Sequence, residues 1–138
     1  MGYRPIAAGV PQGSVLGPLL FGLFIRDLST VLKHCECTQY ADDTQIYLHA
    51  YSSDLDKAIT LIKQDAQAVA AWALRNGLEL NARKTKAMIV GSMQYIACIN
   101  LQTARKIKIN VTPIEYVTSG KNLGVTITDT LNPTSTLC

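Results

Sequence analysis

Two adjacent carboxylates, Asp42 and Asp43, stand between short runs rich in β-branched and aromatic residues: Thr38, Tyr40 and Ala41 before them, Ile46, Tyr47 and Leu48 after. Such flanks predict a tight hairpin with the acids at or near its tip. In mid-strand, neighbouring side chains point to opposite faces, whereas at a tip the twist lets both reach one surface. Two carboxylates roughly 5 Å apart repel by about 3 kcal/mol at an effective dielectric of about 20. Either one takes up a proton or a cation sits between them. Hard oxygen donors without a nearby His or Cys favour Mg²⁺ or Mn²⁺ over zinc. The plainer reading is a solvated Asp-Asp turn.

Two other stretches carry chemistry-bearing residues. Gly9-Val10-Pro11-Gln12-Gly13-Ser14 is a shaped loop, dense in Gly and Pro, that leads into an apolar run. As structure it caps a helix. As function, its glycines let a backbone approach a ligand and a helix N-terminus favours phosphate. It is no Walker-type loop, because no Gly-Lys-Ser/Thr follows. Downstream, Arg83, Lys84 and Lys86 crowd the segment Asn81–Lys86. Such a cluster reads as a solvated loop, unless it faces the acids and brings Lys84 to a triphosphate.

The elements that must position these residues follow from periodicity. Ser14 suits a helix cap and Pro18 a first helical turn; Leu19, Leu20, Leu23, Phe24, Leu28, Val31 and Leu32 predict a strongly buried helix to about Lys33. A second helix is expected from a capping box, Ser53 to Asp56. Leu55, Ile59, Ile62, Ala66, Val69 and Ala73 form its apolar face, and Asp54, Lys57, Gln64 and Asp65 take other faces. Gly77 should stop it, with Trp72 a packing residue. Beyond lie an extended piece at Leu78–Leu80 and a strand at Ala87–Val90. Another strand has Ile107, Ile109 and Val111 buried and Lys106, Lys108 and Asn110 outward, and a turn follows at Thr112-Pro113. A last strand is expected over Asn122–Ile127.

The 138 residues suffice for one domain with a modest core, and the 48% apolar share argues against disorder. A net charge of +3 and a pI of 8.7 tolerate a polyanionic partner without demanding one. Cys35, Cys37, Cys98 and Cys138 form no CxxC pair and no ligand set with His34 or His49, so reduced thiols are expected. No secretory signal is visible. The longest apolar run, Val15 to Ile25, is too short to span a bilayer and is broken by Gly17 and Pro18.

Gly9 through Phe21 resembles the motif B segment of non-LTR retrotransposon reverse transcriptases, and Tyr40-Ala41-Asp42-Asp43 resembles their motif C. Trp72, Leu78, Leu80, Asn81 and Lys84-Thr85 are similar to the helix and motif D that follow, and Lys121–Val125 to a later strand leading toward the thumb. The resemblance implies an α+β fold, an incomplete polymerase palm with an antiparallel sheet and helices packed on one face. Residues 1–92 would be the partial palm and 93–138 a strand-rich palm-to-thumb segment. It implies nucleotidyl transfer with Mg²⁺ or Mn²⁺, an RNA template, a DNA primer and deoxynucleoside triphosphates, in a nuclear or cytoplasmic ribonucleoprotein.

By the same resemblance Asp42 is a metal ligand and Asp43 a ligand or close support. Gln12, Gly13 and Ser14 would shape the nucleotide and template surface, Lys84 would lie near the triphosphate, and Tyr40 and Ala41 would support the primer end. The family's motif A aspartate comes from a strand upstream of motif B, and only eight residues precede Gly9. The expectation is therefore a reverse transcriptase segment inactive alone. Two alternatives are a non-catalytic nucleic-acid-binding module using Lys84, Lys86, Lys106 and Lys108, and a decayed remnant.

Overall fold

The structure, a computed structural model, describes residues 16–40, 43–122 and 125–130. Helix α1 (Leu16–Ile25) passes into a 3₁₀ turn (Arg26–Val31), and the hairpin β1 (Glu36–Tyr40) and β2 (Asp43–Tyr47) follows. A short 3₁₀ turn (Ser52–Asp54) leads into the long helix α2 (Leu55–Arg75). Then come β3 (Lys86–Ala87), α3 (Met93–Cys98), β4 (Lys108–Ile109), β5 (Thr112–Pro113), β6 (Glu115–Tyr116), β7 (Ser119–Asn122) and β8 (Val125–Thr128). The described strands form four two-stranded ladders: β1–β2, β4–β5 and β7–β8 antiparallel, and β3–β6 parallel. The architecture is thus a mixture of helices and small, mostly antiparallel sheets.

Helix α2 organises the core because its apolar residues recur every three or four positions. Ile59, Ala66 and Ala70 pack with Ile107, Ile109 and Ile114 from the β4–β6 region. Val69, Trp72 and Ala73 pack with Ile25 at the end of α1 and Leu28 in the 3₁₀ turn that follows. Leu80 touches both clusters. Trp72 is buried, with its ring centroid 6.1 Å from that of Phe24, which is the packing role expected of it.

The end of α2 is a Schellman motif. The Leu78 N–H donates to the Ala73 carbonyl at 2.9 Å and the Gly77 N–H to the Leu74 carbonyl at 3.2 Å, with Gly77 at φ +70°. Only glycine occupies that backbone region without strain. The reversal carries Leu78 and Leu80 back onto the helix that has just ended.

Several local expectations are corrected. The first helix is not strongly buried: Leu19 and Leu23 are 61% and 57% exposed, whereas Ile25 and Leu28 are buried. Nor does it run unbroken to Lys33. The Ser29 and Thr30 hydroxyls donate to the Arg26 and Asp27 carbonyls, side-chain competition that accompanies the tighter 3₁₀ winding. The Ser53–Asp56 capping box does not form, because α2 starts at Leu55, and Asp54 at its N-cap makes no side-chain cap bond. Asp65 lies in the core, not on an outer face.

Val111 is 87% exposed, since the chain turns at Asn110-Val111, before Thr112-Pro113. Asn110 takes the left-handed φ of 55° that a two-residue loop favours and Asn tolerates. Within Ala87–Val90 only Ala87 pairs as strand, with Lys86 before it. The single strand over Asn122–Ile127 is instead part of the β7–β8 hairpin, in which Asn122 faces Val125.

Gly77→Ala should lower unfolding free energy by about 1–2 kcal/mol through left-handed strain alone, because a Cβ there meets nothing within 4 Å. Urea denaturation measures it, and an unchanged midpoint would contradict the backbone argument.

Candidate functional site: the acidic hairpin

The β1–β2 ladder is in register from Glu36↔Tyr47 to Tyr40↔Asp43. Tyr40 and Asp43 therefore face each other as the last pair before the turn, as the hairpin expectation requires. Strand alternation puts Cys37, Gln39 and Ile46 toward the protein, where all three are half-buried. Glu36, Thr38 and Tyr40 share the outer face with Asp43, and all are exposed. On that face the Tyr47 hydroxyl donates to Glu36 Oε2 at 3.1 Å, a cross-strand tie at the hairpin's base.

Two contacts hold the hairpin from behind. Asp65 on α2, 2% exposed, receives three consecutive backbone N–H groups from the loop entering β1. Lys33 N–H donates to Oδ1 at 3.1 Å and to Oδ2 at 3.2 Å, His34 N–H to Oδ2 at 2.8 Å, and Cys35 N–H to Oδ2 at 2.7 Å. Further along, the Gln39 side-chain amide donates to the carbonyl of Ile25 at 3.1 Å, joining the hairpin to the last residue of α1.

The electrostatics follow from this geometry. Burial pushes the Asp65 carboxyl upward, but the N–H bonds from His34, Cys35 and Lys33 and the Cys35 thiol outweigh it, so the acid lies below its ordinary range. Burial, then the hydrogen bond and charge of Asp65, push the Cys35 thiol up to about 12.

Sequence reasoning missed both anchors, yet each left a signal. Asp65 falls three residues after Ile62 and four before Val69, on the apolar stripe itself. Gln39 shares the inward face of β1 with Cys37.

Lys84 is exposed in the turn after Leu80, where its N–H donates to Asn81 Oδ1 at 3.2 Å and to the Asn81 carbonyl at 3.1 Å. Lys106 and Lys108 are exposed as well, whereas Lys86 forms an ion pair with Glu115 across β3–β6. Gln12, Gly13, Ser14, Ala41 and Asp42 lie outside the described residues. Among the described residues no group of three or more His, Cys, Asp or Glu side chains is arranged to hold a metal ion, and none of the helices is long and apolar enough to cross a membrane.

The family profile described as reverse transcriptase (RNA-dependent DNA polymerase) matches residues 2–127. The chain belongs to that family. This reverse transcriptase segment is 30% identical over 137 residues to the RNA-directed DNA polymerase from mobile element jockey of Drosophila melanogaster, covering 90% of this chain and 13% of that protein. It is 28% identical over 137 residues to the probable RNA-directed DNA polymerase from transposon BS of the same fly, covering 90% of this chain and 14% of the relative. A third relative, the probable RNA-directed DNA polymerase from transposon X-element, is 30% identical over 127 residues, or 87% of this chain and 13% of its own length. The kinship with non-LTR retrotransposon polymerases thus extends over most of the chain, which spans only about an eighth of those relatives. No solved structure matches it.

Two measurements check the anchor. Because the folded Asp65 carboxyl titrates below its unfolded value of about 3.9, its contribution to stability is complete above that value and is lost as pH falls through the lower folded one. The stability gap between the parent and Asp65→Ala should be about 2–4 kcal/mol at pH 7 and should narrow in acid; a gap that widens in acid would contradict the assignment. In timed alkylation at pH 8 followed by peptide mass analysis, exposed Cys98 should label well before Cys35.

Proposed function

We propose that the β1–β2 hairpin is the acidic tip of a nucleotidyl-transfer site that copies RNA into DNA. The observation that carries this reading is Asp43, exposed opposite Tyr40 at the last ladder pair, inside a chain of the reverse transcriptase family. In the finer architecture the hairpin belongs to an antiparallel palm sheet with helices on one face. Residues 1–92 supply the palm elements and 93–138 the strands toward the thumb.

The donor set fits a hard divalent cation, Mg²⁺ or Mn²⁺. Asp43 offers solvated carboxylate oxygens, its sequence neighbour Asp42 offers two more, and among the described residues no thiolate or imidazole is grouped with Asp43 to favour a softer metal. When bound, such an ion supplies neutralisation of charge on phosphate oxygens. Asp42 acts as a direct ligand and Asp43 as a ligand or close support. Gln12, Gly13 and Ser14 form the surface under the incoming nucleotide and template. Lys84 places its ammonium toward the triphosphate, and Tyr40 and Ala41 support the primer end. The RNA template, the DNA primer and deoxynucleoside triphosphates are the partners of the whole polymerase.

Mn²⁺ titration of the chain followed by NMR tests the reading. Paramagnetic broadening should centre on Tyr40 and Asp43, and Asp42→Asn or Asp43→Asn should weaken it at least about tenfold. Broadening centred elsewhere, or indifferent to both substitutions, would sink it.

The exposed lysines support a second reading, a nucleic-acid-binding surface that does not depend on the acids. Lys84, Lys106 and Lys108 are exposed, whereas the charge of Lys86 is already partnered by Glu115. Binding of a primer–template should weaken steeply with salt. Lys84→Ala should reduce the log–log salt slope by about 1, while Lys86→Ala should change it less. Salt-independent binding, or none at low salt, would dismiss this surface.

A further inference from the structure

We propose that Asp65 is a positioning residue for the acidic hairpin, fixing from behind the line along which β1 delivers Tyr40 and, across the ladder, Asp43. The inference rests on the reading of that hairpin as a metal-holding tip.

Three features carry it. First, the carboxylate is directed mainly at backbone. All three N–H groups of Lys33, His34 and Cys35 converge on it, and Oδ2 alone accepts from His34 and Cys35 at 2.8 and 2.7 Å. A side chain that served only packing would not sit buried as a charge among Ala66, Val69 and their neighbours, where an isolated carboxylate costs several kcal/mol. Second, these donors are the last residues before β1, so they set where the strand starts and which way it points. From Glu36 to Tyr40 the strand runs about 13 Å, and a small angular error at its start grows along that length. Third, Gln39 ties the same strand to the Ile25 carbonyl at the end of α1. With one anchor on α2 and another on α1, the hairpin has little freedom to rotate about either alone.

The geometry also gives the anchor a signature that general stability lacks. In Asp65→Asn a single amide oxygen can replace Oδ2 and keep His34 and Cys35. The NH₂ then falls where Oδ1 was and opposes the Lys33 N–H, which keeps only its longer bond to the Oδ2 position. Local damage should therefore be graded along the loop, greatest at Lys33.

Amide hydrogen exchange by NMR on the 138-residue chain reads this directly, with Mn²⁺ titration as a second arm. In Asp65→Asn, exchange should quicken about tenfold or more at Lys33, less at His34 and Cys35, and measurably along β1 and β2, while Ala66–Ala70 of α2 hold their protection. Mn²⁺ broadening at Tyr40 and Asp43 should weaken in the same variant although neither acid of the pair has been touched. Equal quickening across α2 and the hairpin, or none in β1 and β2, would overturn the proposal. So would full Mn²⁺ affinity in a variant whose hairpin has loosened. If the parent itself binds no Mn²⁺ at the hairpin, the metal-site reading falls, and the exchange pattern still decides whether Asp65 holds the strand. Should Asp65→Asn fail to fold, Asp65→Glu keeps the charge and shifts the carboxylate by one methylene. It must then show the same contrast between hairpin and α2.

Discussion

One buried carboxylate holds the two halves of the acidic hairpin's support together. Asp65 is a charge 2% exposed on a helix otherwise packed with Ala, Val and Ile, and removing it from water costs several kcal/mol. Three charge-assisted hydrogen bonds, each contributing about 1.5–3 kcal/mol, are of the size needed to offset that. The balance of those two terms is close to even, and the cost of truncating Asp65 comes chiefly from the N–H groups left without their acceptor. What the bonds fix is the path of the loop, since the Lys33, His34 and Cys35 N–H groups all point at one carboxylate.

The constraint extends outward through α2. Small residues on its apolar stripe, Ala66, Ala70 and Ala73, let neighbouring segments come close without large side chains keeping them apart. The Gly77 reversal then folds the chain back so that Leu80 joins the cluster beneath the β4–β6 region to the one at the end of α1. The helix therefore links three things that lie far apart in sequence: the helix before the hairpin, the hairpin itself, and the strands after residue 107. The cluster beneath the β4–β6 region draws on both sides of residue 92, so α2 and the later strands share one core.

What could be read from the sequence is what short-range chemistry dictates. The flanks of Asp42-Asp43 and the run Leu55 to Ala73 repeat at strand and helix periods, and Gly77 follows the last apolar residue, so hairpin, helix and stop were all legible. The reverse transcriptase resemblance was legible for a different reason: long stretches of specific residues lie in a fixed order. The failures share a cause. Capping at Ser53, burial of Val111 and the continuity of the first helix each depended on a partner or a competing local bond that periodicity does not encode. Asp65 was assigned by its charge to solvent, while its spacing from Ile62 and Val69 already put it on the buried stripe. Where residue type and position disagree on a helix, position deserves the greater weight, because a charge inside a core has to be explained by what it binds.

The position of the anchors also answers a conflict built into any surface meant to take up phosphate. On the proposed reading a carboxylate that receives a hydrated cation must stand in the open, and Asp43 is exposed opposite an exposed Tyr40. An open hairpin is flexible, because two strands alone are marginal in water. Rigidity cannot come from the face that meets substrate, since anything packed there would block it. In this chain it comes from the inward face, where Gln39 reaches α1, and from the strand entry, where Asp65 gathers the backbone. Both ties end on main-chain atoms, which leaves side chains on the outer face unconstrained by the scaffold. That division explains why the most buried charge among the described residues lies on a helix behind the hairpin's entry rather than on the hairpin's outer face.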